Sequence, residues 1–201
     1  MGISAGDLAG LVIGVSFAAG LNVYATLLTL GGLSRMGWVQ LPGGMEVVGS
    51  WWVIGISAGL FLVEFVADKI PAFDLVWNAA QTFVRVPVAG LLAYGATSHL
   101  RPEMQVLVTV LGAVVAALAH GSKLAVRGLV TPSPEPVSNI ALSSMEDVGA
   151  IGLTWVAVHH PYVAAGVVGG LVLVAGVMVR SLVVWGRRMW ERRRGDVVPA
   201  R

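Results

Sequence analysis

The chain has no cysteine, which removes disulfides, thiolate metal sites and cysteine nucleophiles. Its four histidines form no His-x-x-x-His or Glu-x-x-His pattern, so no conventional zinc site is expected. No Walker loop, Gly-x-Ser-x-Gly elbow or dinucleotide fingerprint occurs, and no cofactor is implied. Charge is also scarce. Asp, Glu, Lys and Arg make up 12% of the residues, against roughly 25% in soluble domains. Apolar residues are abundant, at 56% of 201 positions, and mean hydropathy is +0.81. One soluble core cannot hide so much apolar surface. Lipid is the solvent that suits it.

The apolar runs fall near 8–31, 50–67, 86–99, 104–120, 147–159 and 162–185. A full crossing takes about 20 residues, so the runs at 86–99 and 147–159 must borrow polar residues, tilt or stop at mid-depth. The expected fold is all-α: a polytopic transmembrane bundle of about six spans. A single domain, 1–186, would precede a basic tail, 187–201. Asp7 and the lack of a basic residue before the first run favour a retained span over a cleaved signal peptide. Gly10/Gly14 and Gly55/Gly59 are Gly-x-x-x-Gly pairs, and Gly166, Gly169, Gly170 and Gly176 stripe the last run, all suited to close helix packing. A homo-oligomer is compatible with them.

The tail Arg187-Arg188-Met189-Trp190-Glu191-Arg192-Arg193-Arg194 follows an apolar run directly. It reads as a cytoplasmic topology signal and a binder of anionic lipid headgroups, not of nucleic acid. Counting six spans back from it places both termini in the cytoplasm of an inner (plasma) membrane. His159-His160-Pro161 and Arg101-Pro102-Glu103 then face outward.

Two clusters of charge interrupt the runs. The first extends from Glu64 through Asp68, Lys69 and Asp74 to Asn78, Thr82 and Arg85; the second from His120 through Lys123 and Arg127 to Asn139, Ser143, Glu146 and Asp147. Charge within or beside a membrane-buried helix costs a few kcal/mol or more per group, so function is sought here. Residues 78–85 align without a gap on 139–146, repeating Asn, Ala, a hydroxyl and a charge, which suggests repeats near 50–99 and 104–159 with interrupted or re-entrant polar segments.

Glu64 and Asp68, four apart, share a helix face at a negative helix end. They call for a proton, a cation such as a hard metal held with Asp74 and Asn78, or a fixed pair from Lys69 or an interhelical arginine. Arg85 precedes Val86-Pro87 and is expected to crown a helix N-terminus, an anion site that Lys69, Lys123 and Arg127 could extend. Ser143-Ser144-Met145-Glu146 fits a capping box, and Arg85 and Glu146, equivalent in the alignment, are expected to pair. His120 reads as hydrogen-bonded structure. Asn22, deep in the first run, forms a polar stripe with Thr26 and Thr29 that lines a pathway or joins helices.

At Gly20-Leu21-Asn22-Val23-Tyr24, Glu64-Phe65-Val66-Ala67-Asp68-Lys69-Ile70-Pro71 with Asp74, Thr82-Phe83-Val84-Arg85 before Pro87, and Ser144-Met145-Glu146-Asp147, the chain resembles a bacterial membrane-protein family known only as domain of unknown function 4126. The resemblance covers roughly residues 8–180 and implies a multi-pass helical protein without an assigned activity. The residues favour a small transporter or channel for an ion or small polar or anionic solute, with proton coupling as one option, lined by Asn22, Glu64, Asp68, Arg85, Lys123 and Glu146. Alternatives are an enzyme or lipid-handling protein acting on a phosphorylated headgroup, and an assembly protein with structural ion pairs.

Overall fold

The structure is a computed structural model that describes residues 4–130 and 136–195. Seven α-helices and a short 3₁₀ helix, with no strand, form the described residues. They are α1 (Ala5–Leu21), α2 (Val23–Arg35), the 3₁₀ helix (Gly43–Gly49), α3 (Trp51–Ala67), α4 (Pro71–Ala96), α5 (Pro102–Val130), α6 (Pro136–His159) and α7 (Pro161–Gly195). Four helices open on proline, whose missing N–H costs nothing in a first turn. The helical fold class read from the sequence is correct.

Two helical segments are long and apolar enough to cross a membrane, Pro102–Arg127 and Pro161–Ser181, and the bent pair of the 3₁₀ helix and α3 makes a third if it counts as one span. Burial is inverted relative to a soluble protein. Val106, Leu107, Val110, Leu111 and Val114 of α5 are exposed, whereas Glu64, Arg85 and Arg127 are 0% exposed. Apolar side chains outside and charges inside is the distribution that lipid demands. The chain divides into two units, Met1–Gly166 and Val167–Arg201. The second unit's described residues are the remainder of α7 to Gly195, exposing Leu173, Val174, Val177 and Met178.

Within the first unit, the run at 8–31 is not one span. It breaks at Asn22, which has extended backbone (φ −150°, ψ 104°) and ends α1 while capping α2. The chain then reverses: Trp38–Pro42, beyond α2, lie beside Ser4, Asp7 and Leu11 at the start of α1. At the end of α2, Gly37 adopts φ +72° while its N–H and that of Trp38 donate to Ser34 and Leu33 carbonyls. That is a Schellman ending, which favours glycine at the left-handed position.

The reversal alters the topology expected from six spans. Tyr162 packs on Gly6 and Pro161 on Gly10, so the N-terminal end of α1 lies at the same end of this unit as His159–Pro161, not across from it. Two expected helix starts are also absent. α4 runs unbroken from Pro71 to Ala96, with Pro87 inside it, so Arg85 is mid-helix and crowns no N-terminus. α6 begins at Pro136, so Ser143 and Glu146 are interior and form no capping box. The Pro-rich link at 131–135 lies outside the described residues.

The glycine pairs differ in use. A Cβ on Gly10 would lie 2.4 Å from the Pro161 carbonyl oxygen, and one on Gly14 would lie 2.6 Å from Ala157 Cβ. Around Gly55 and Gly59 nothing lies within 4 Å. Gly10→Ala and Gly14→Ala should each destabilise the protein by about 1–3 kcal/mol through overpacking. Gly59→Ala should stay within about 0.5 kcal/mol or gain from better helix propensity. Denaturation in detergent checks the contrast.

The absence of native cysteine makes side-of-membrane labelling clean. Single cysteines at Ala5 and His160 should react with an impermeant maleimide from the same side. Opposite-side labelling would contradict the α1–α2 reversal.

Candidate functional site

Helical spacing assembles a buried polar centre. Glu64 and Asp68 close α3, with Asp68 as its C-cap. Asn78, Thr82 and Arg85 follow at i, i+4 and i+7 on α4; His120, Lys123 and Arg127 at i, i+3 and i+7 on α5; Ser143, Glu146 and Asp147 at i, i+3 and i+4 on α6. Each set therefore shares one helix face. All are buried except Thr82, which is half-buried. Each helix turns its polar stripe inward and leaves its apolar residues outside.

The two clusters meet in one ionic network. Arg85 Nη2 pairs with Glu64 Oε1. Lys123 Nζ lies 3.1 Å from Asp68 Oδ2, 3.2 Å from Glu146 Oε2 and 3.8 Å from Glu64 Oε1. Arg127 Nη2 lies 2.5 Å from Glu146 Oε2 and 3.0 Å from Asp68 Oδ2, and its Nε donates to both Glu146 oxygens at 3.3 and 3.2 Å. Asn78 Nδ2 donates to Asp68 Oδ1 at 3.3 Å. Arginine and lysine thus share the work according to shape: the planar guanidinium grips a carboxylate by several N–H groups, and the compact ammonium serves as a hub.

The network is built on the Asn22 break. Arg85 Nη1 donates to the Gly20 carbonyl and Lys123 Nζ to the Leu21 carbonyl, each at 3.4 Å. These cations face the negative end of α1, where carbonyls lack helical partners. Asn22 Oδ1 accepts from Ala25 N–H at 3.0 Å, and its Nδ2 donates to Asp147 Oδ1 at 2.8 Å. One amide caps α2 and binds α6.

The hydrogen bonds of His120 set its tautomer. Arg85 Nη1 lies 2.9 Å from His120 Nδ1 and can only donate, so Nδ1 accepts. The proton is on Nε2, which donates to the Asn78 carbonyl at 3.1 Å, with Thr82 Oγ1 at 2.9 Å. His120 is therefore a neutral, fully engaged part of the framework.

Several sequence expectations are placed differently. Arg85 and Glu146 belong to one network but do not pair with each other: Arg85 takes Glu64, while Glu146 takes Arg127 and Lys123. The cations facing Glu64 and Asp68 are Arg85, Lys123 and Arg127. Lys69, in the turn after α3, instead donates to the Phe65 carbonyl at 2.9 Å and sits over the Phe65 ring. Asn22 is a cap at a reversal, not a residue on a helical stripe; Thr26 and Thr29 donate to the Asn22 and Ala25 carbonyls. The side chains of Asp74 and Asn139 lie outside the described residues. Among the described residues, no three His, Asp or Glu side chains form a metal-binding group. The sequence reading missed buried Gln81, whose Nε2 donates to Tyr24 Oη at 3.2 Å. Its i, i+4 relation to Arg85 on the polar stripe was the available signal.

Exposed apolar helix faces around an interior ionic centre define a helical membrane protein. The chain belongs to the family described as domain of unknown function 4126, whose profile matches residues 9–181. No curated protein and no solved structure matches it.

Removing one member of a buried ion pair typically costs about 3–5 kcal/mol, because the other charge is left uncompensated. Arg85→Met and Glu64→Gln should each fall in that range, and the double variant should cost well below their sum. Arg187→Ala, at an exposed position, should stay within about 0.5 kcal/mol. Unfolding titrations of the four-member cycle test the coupling, and additive losses would contradict a direct pair.

Proposed function

We propose that this protein is a small multi-pass transporter of an ion or small polar solute in an inner (plasma) membrane, with the Asn22 break and its ionic network as the working centre. The carrying observation is a discontinuous helix whose free carbonyls are bound by cations from two other helices and whose capping amide is bound by a carboxylate from a third. Broken helices of this kind place unsatisfied backbone groups at transporter binding sites.

A second observation supports the reading. At the end of the first unit away from the network, a cavity of about 530 Å³ opens among Ser4, Asp7, Trp38, Gln40 and His159. Along α1, the layer between cavity and network packs Leu11, Val12, Val15, Met45 and Leu92 around a void of only about 10 Å³. This is the arrangement of a vestibule over a closed gate. Exposed Trp38, Trp51, Trp52, Trp155 and Tyr162 surround the vestibule end, as in an interfacial aromatic belt. The positive-inside rule orients the opposite end, with Lys69, toward the cytoplasm.

On this reading α3–α4 and α5–α6 are two repeats. The i, i+4 carboxylates Glu64 and Asp68 of the first meet the i, i+4 cations Lys123 and Arg127 of the second. A phosphorylated-headgroup site is less well supported, because Arg85, Lys123 and Arg127 already face carboxylates.

Solid-supported-membrane electrophysiology on proteoliposomes, with jumps of protons, alkali cations and small anions, tests transport. Asn22→Ser keeps a capping oxygen but loses the amide that reaches Asp147. It should cost about 1 kcal/mol of stability, the worth of one hydrogen bond, and sharply reduce the current. Absence of current for every ion, or a current that merely tracks folded protein in the variant, would overturn the proposal.

A further inference from the structure

The buried charges of the network do not balance. Among the described residues, four carboxylates are buried (Glu64, Asp68, Glu146 and Asp147) against three buried cations (Arg85, Lys123 and Arg127). His120 adds no charge, because its Nδ1 accepts from Arg85. Glu64, Asp68 and Glu146 each have at least one cationic nitrogen within ion-pair distance. Asp147 has none among the described residues.

Asp147 is 4% exposed; Oδ1 accepts from the neutral Asn22 amide, and Oδ2 has no hydrogen-bond partner. Glu64 Oε2 is likewise without a hydrogen-bond partner, but Glu64 Oε1 pairs with Arg85, whereas neither oxygen of Asp147 meets a cation among the described residues. The charged groups around Asp147 are Glu146 beside it in sequence, Glu64 and Asp68 at the end of α3, Lys69 in the turn after α3, and Lys123 from α5, with Arg127 one turn further along α5. Lys123 is committed to Glu64, Asp68 and Glu146, Arg127 to Asp68 and Glu146, and Lys69 to the Phe65 carbonyl and ring. From α1 and α2, only the uncharged Asn22 reaches it; Asp7 and Arg35 lie at the far ends of those helices. Ser143, another buried residue with an unpartnered oxygen, is one turn away on α6.

A buried carboxylate with no cationic partner is held as an ion only at high cost. One positive charge at Oδ2 removes the imbalance, and a proton suits the position. The acid O–H then occupies Oδ2 while Oδ1 continues to accept from Asn22. We propose that Asp147 carries an exchangeable proton at neutral pH and is the proton-loading site at the Asn22 break. The coupling of this proton to solute movement rests on the transport reading; the protonation itself does not. Glu64 and Asp68, the pair that the sequence marked for this role, are instead held by fixed cations.

Infrared difference spectroscopy of the purified full chain in lipid tests the assignment directly. Wild type at neutral pH should show a carboxylic-acid C=O band that shifts in deuterated buffer. The band should vanish in Asp147→Asn and persist in Glu64→Gln. Asp147→Asn should also keep a near-wild-type melting temperature, because the amide is a neutral isostere of the acid. No such band in wild type, its survival in Asp147→Asn, or failure of that variant to fold would overturn the proposal. Proteoliposome flux separates the two readings: the Asp147 band without flux of any ion keeps the protonation and removes the transport function. Loss of both band and pH-driven flux in Asp147→Asn supports the two together.

Discussion

Charge in a medium that cannot solvate it is the constraint on which this structure depends. Each buried ion loses several kcal/mol of hydration, so it must find a counter-ion, and no single helix here supplies one for all of its charges. α3 brings two carboxylates to the centre and α5 brings two cations. α4 adds Arg85 and α6 adds Glu146. Pairing is possible only when all four helices converge. The electrostatic requirement therefore specifies the arrangement of the bundle, in a solvent where apolar burial cannot, since lipid tails are as apolar as the helix faces.

The break in the first apolar run follows from the same constraint. Ending α1 at Leu21 leaves carbonyls without helical partners, which is tolerable at depth only if donors reach them. Arg85 and Lys123 do so, while remaining paired with Glu64 and Asp68. The cations thus satisfy carboxylates and a helix end at once. Close glycine contacts make this reach possible: a Cβ on Gly20 would fall 2.4 Å from the Ala116 carbonyl oxygen. That proximity holds α1 against α5 two residues before the break.

The sequence disclosed the helical class, the membrane setting and most residues of the centre, because rare charge among apolar runs is conspicuous and costly. It disclosed less about connectivity. Hydropathy averages over a window and does not register one extended residue, so Asn22 was absorbed into a span although asparagine is among the preferred helix caps. The same averaging placed helix starts at Arg85 and Ser143. There the sequence turns apolar, whereas the helices begin at Pro71 and Pro136 and carry their polar stripes inward. Pair identities were least accessible. An alignment can propose that Arg85 and Glu146 are equivalent, but which carboxylate an arginine meets is decided by tilt and depth, to within a few ångströms.

A network so closely paired resists small displacements but has few intermediate arrangements. Lys123 touches three carboxylates and a helix carbonyl. Moving α5 therefore strains several pairs together instead of one at a time. Interfaces of this kind favour discrete states over continuous deformation. The carboxylate least bound by cations is the natural point of control, because its charge can change without first breaking an ion pair. Asp147 occupies that point and is joined to the break through Asn22. On the proposed transport reading, changing its charge would alter the anchor of the helix reversal while the remaining pairs keep the fold intact, and a rigid ionic centre would then still belong to a moving cycle.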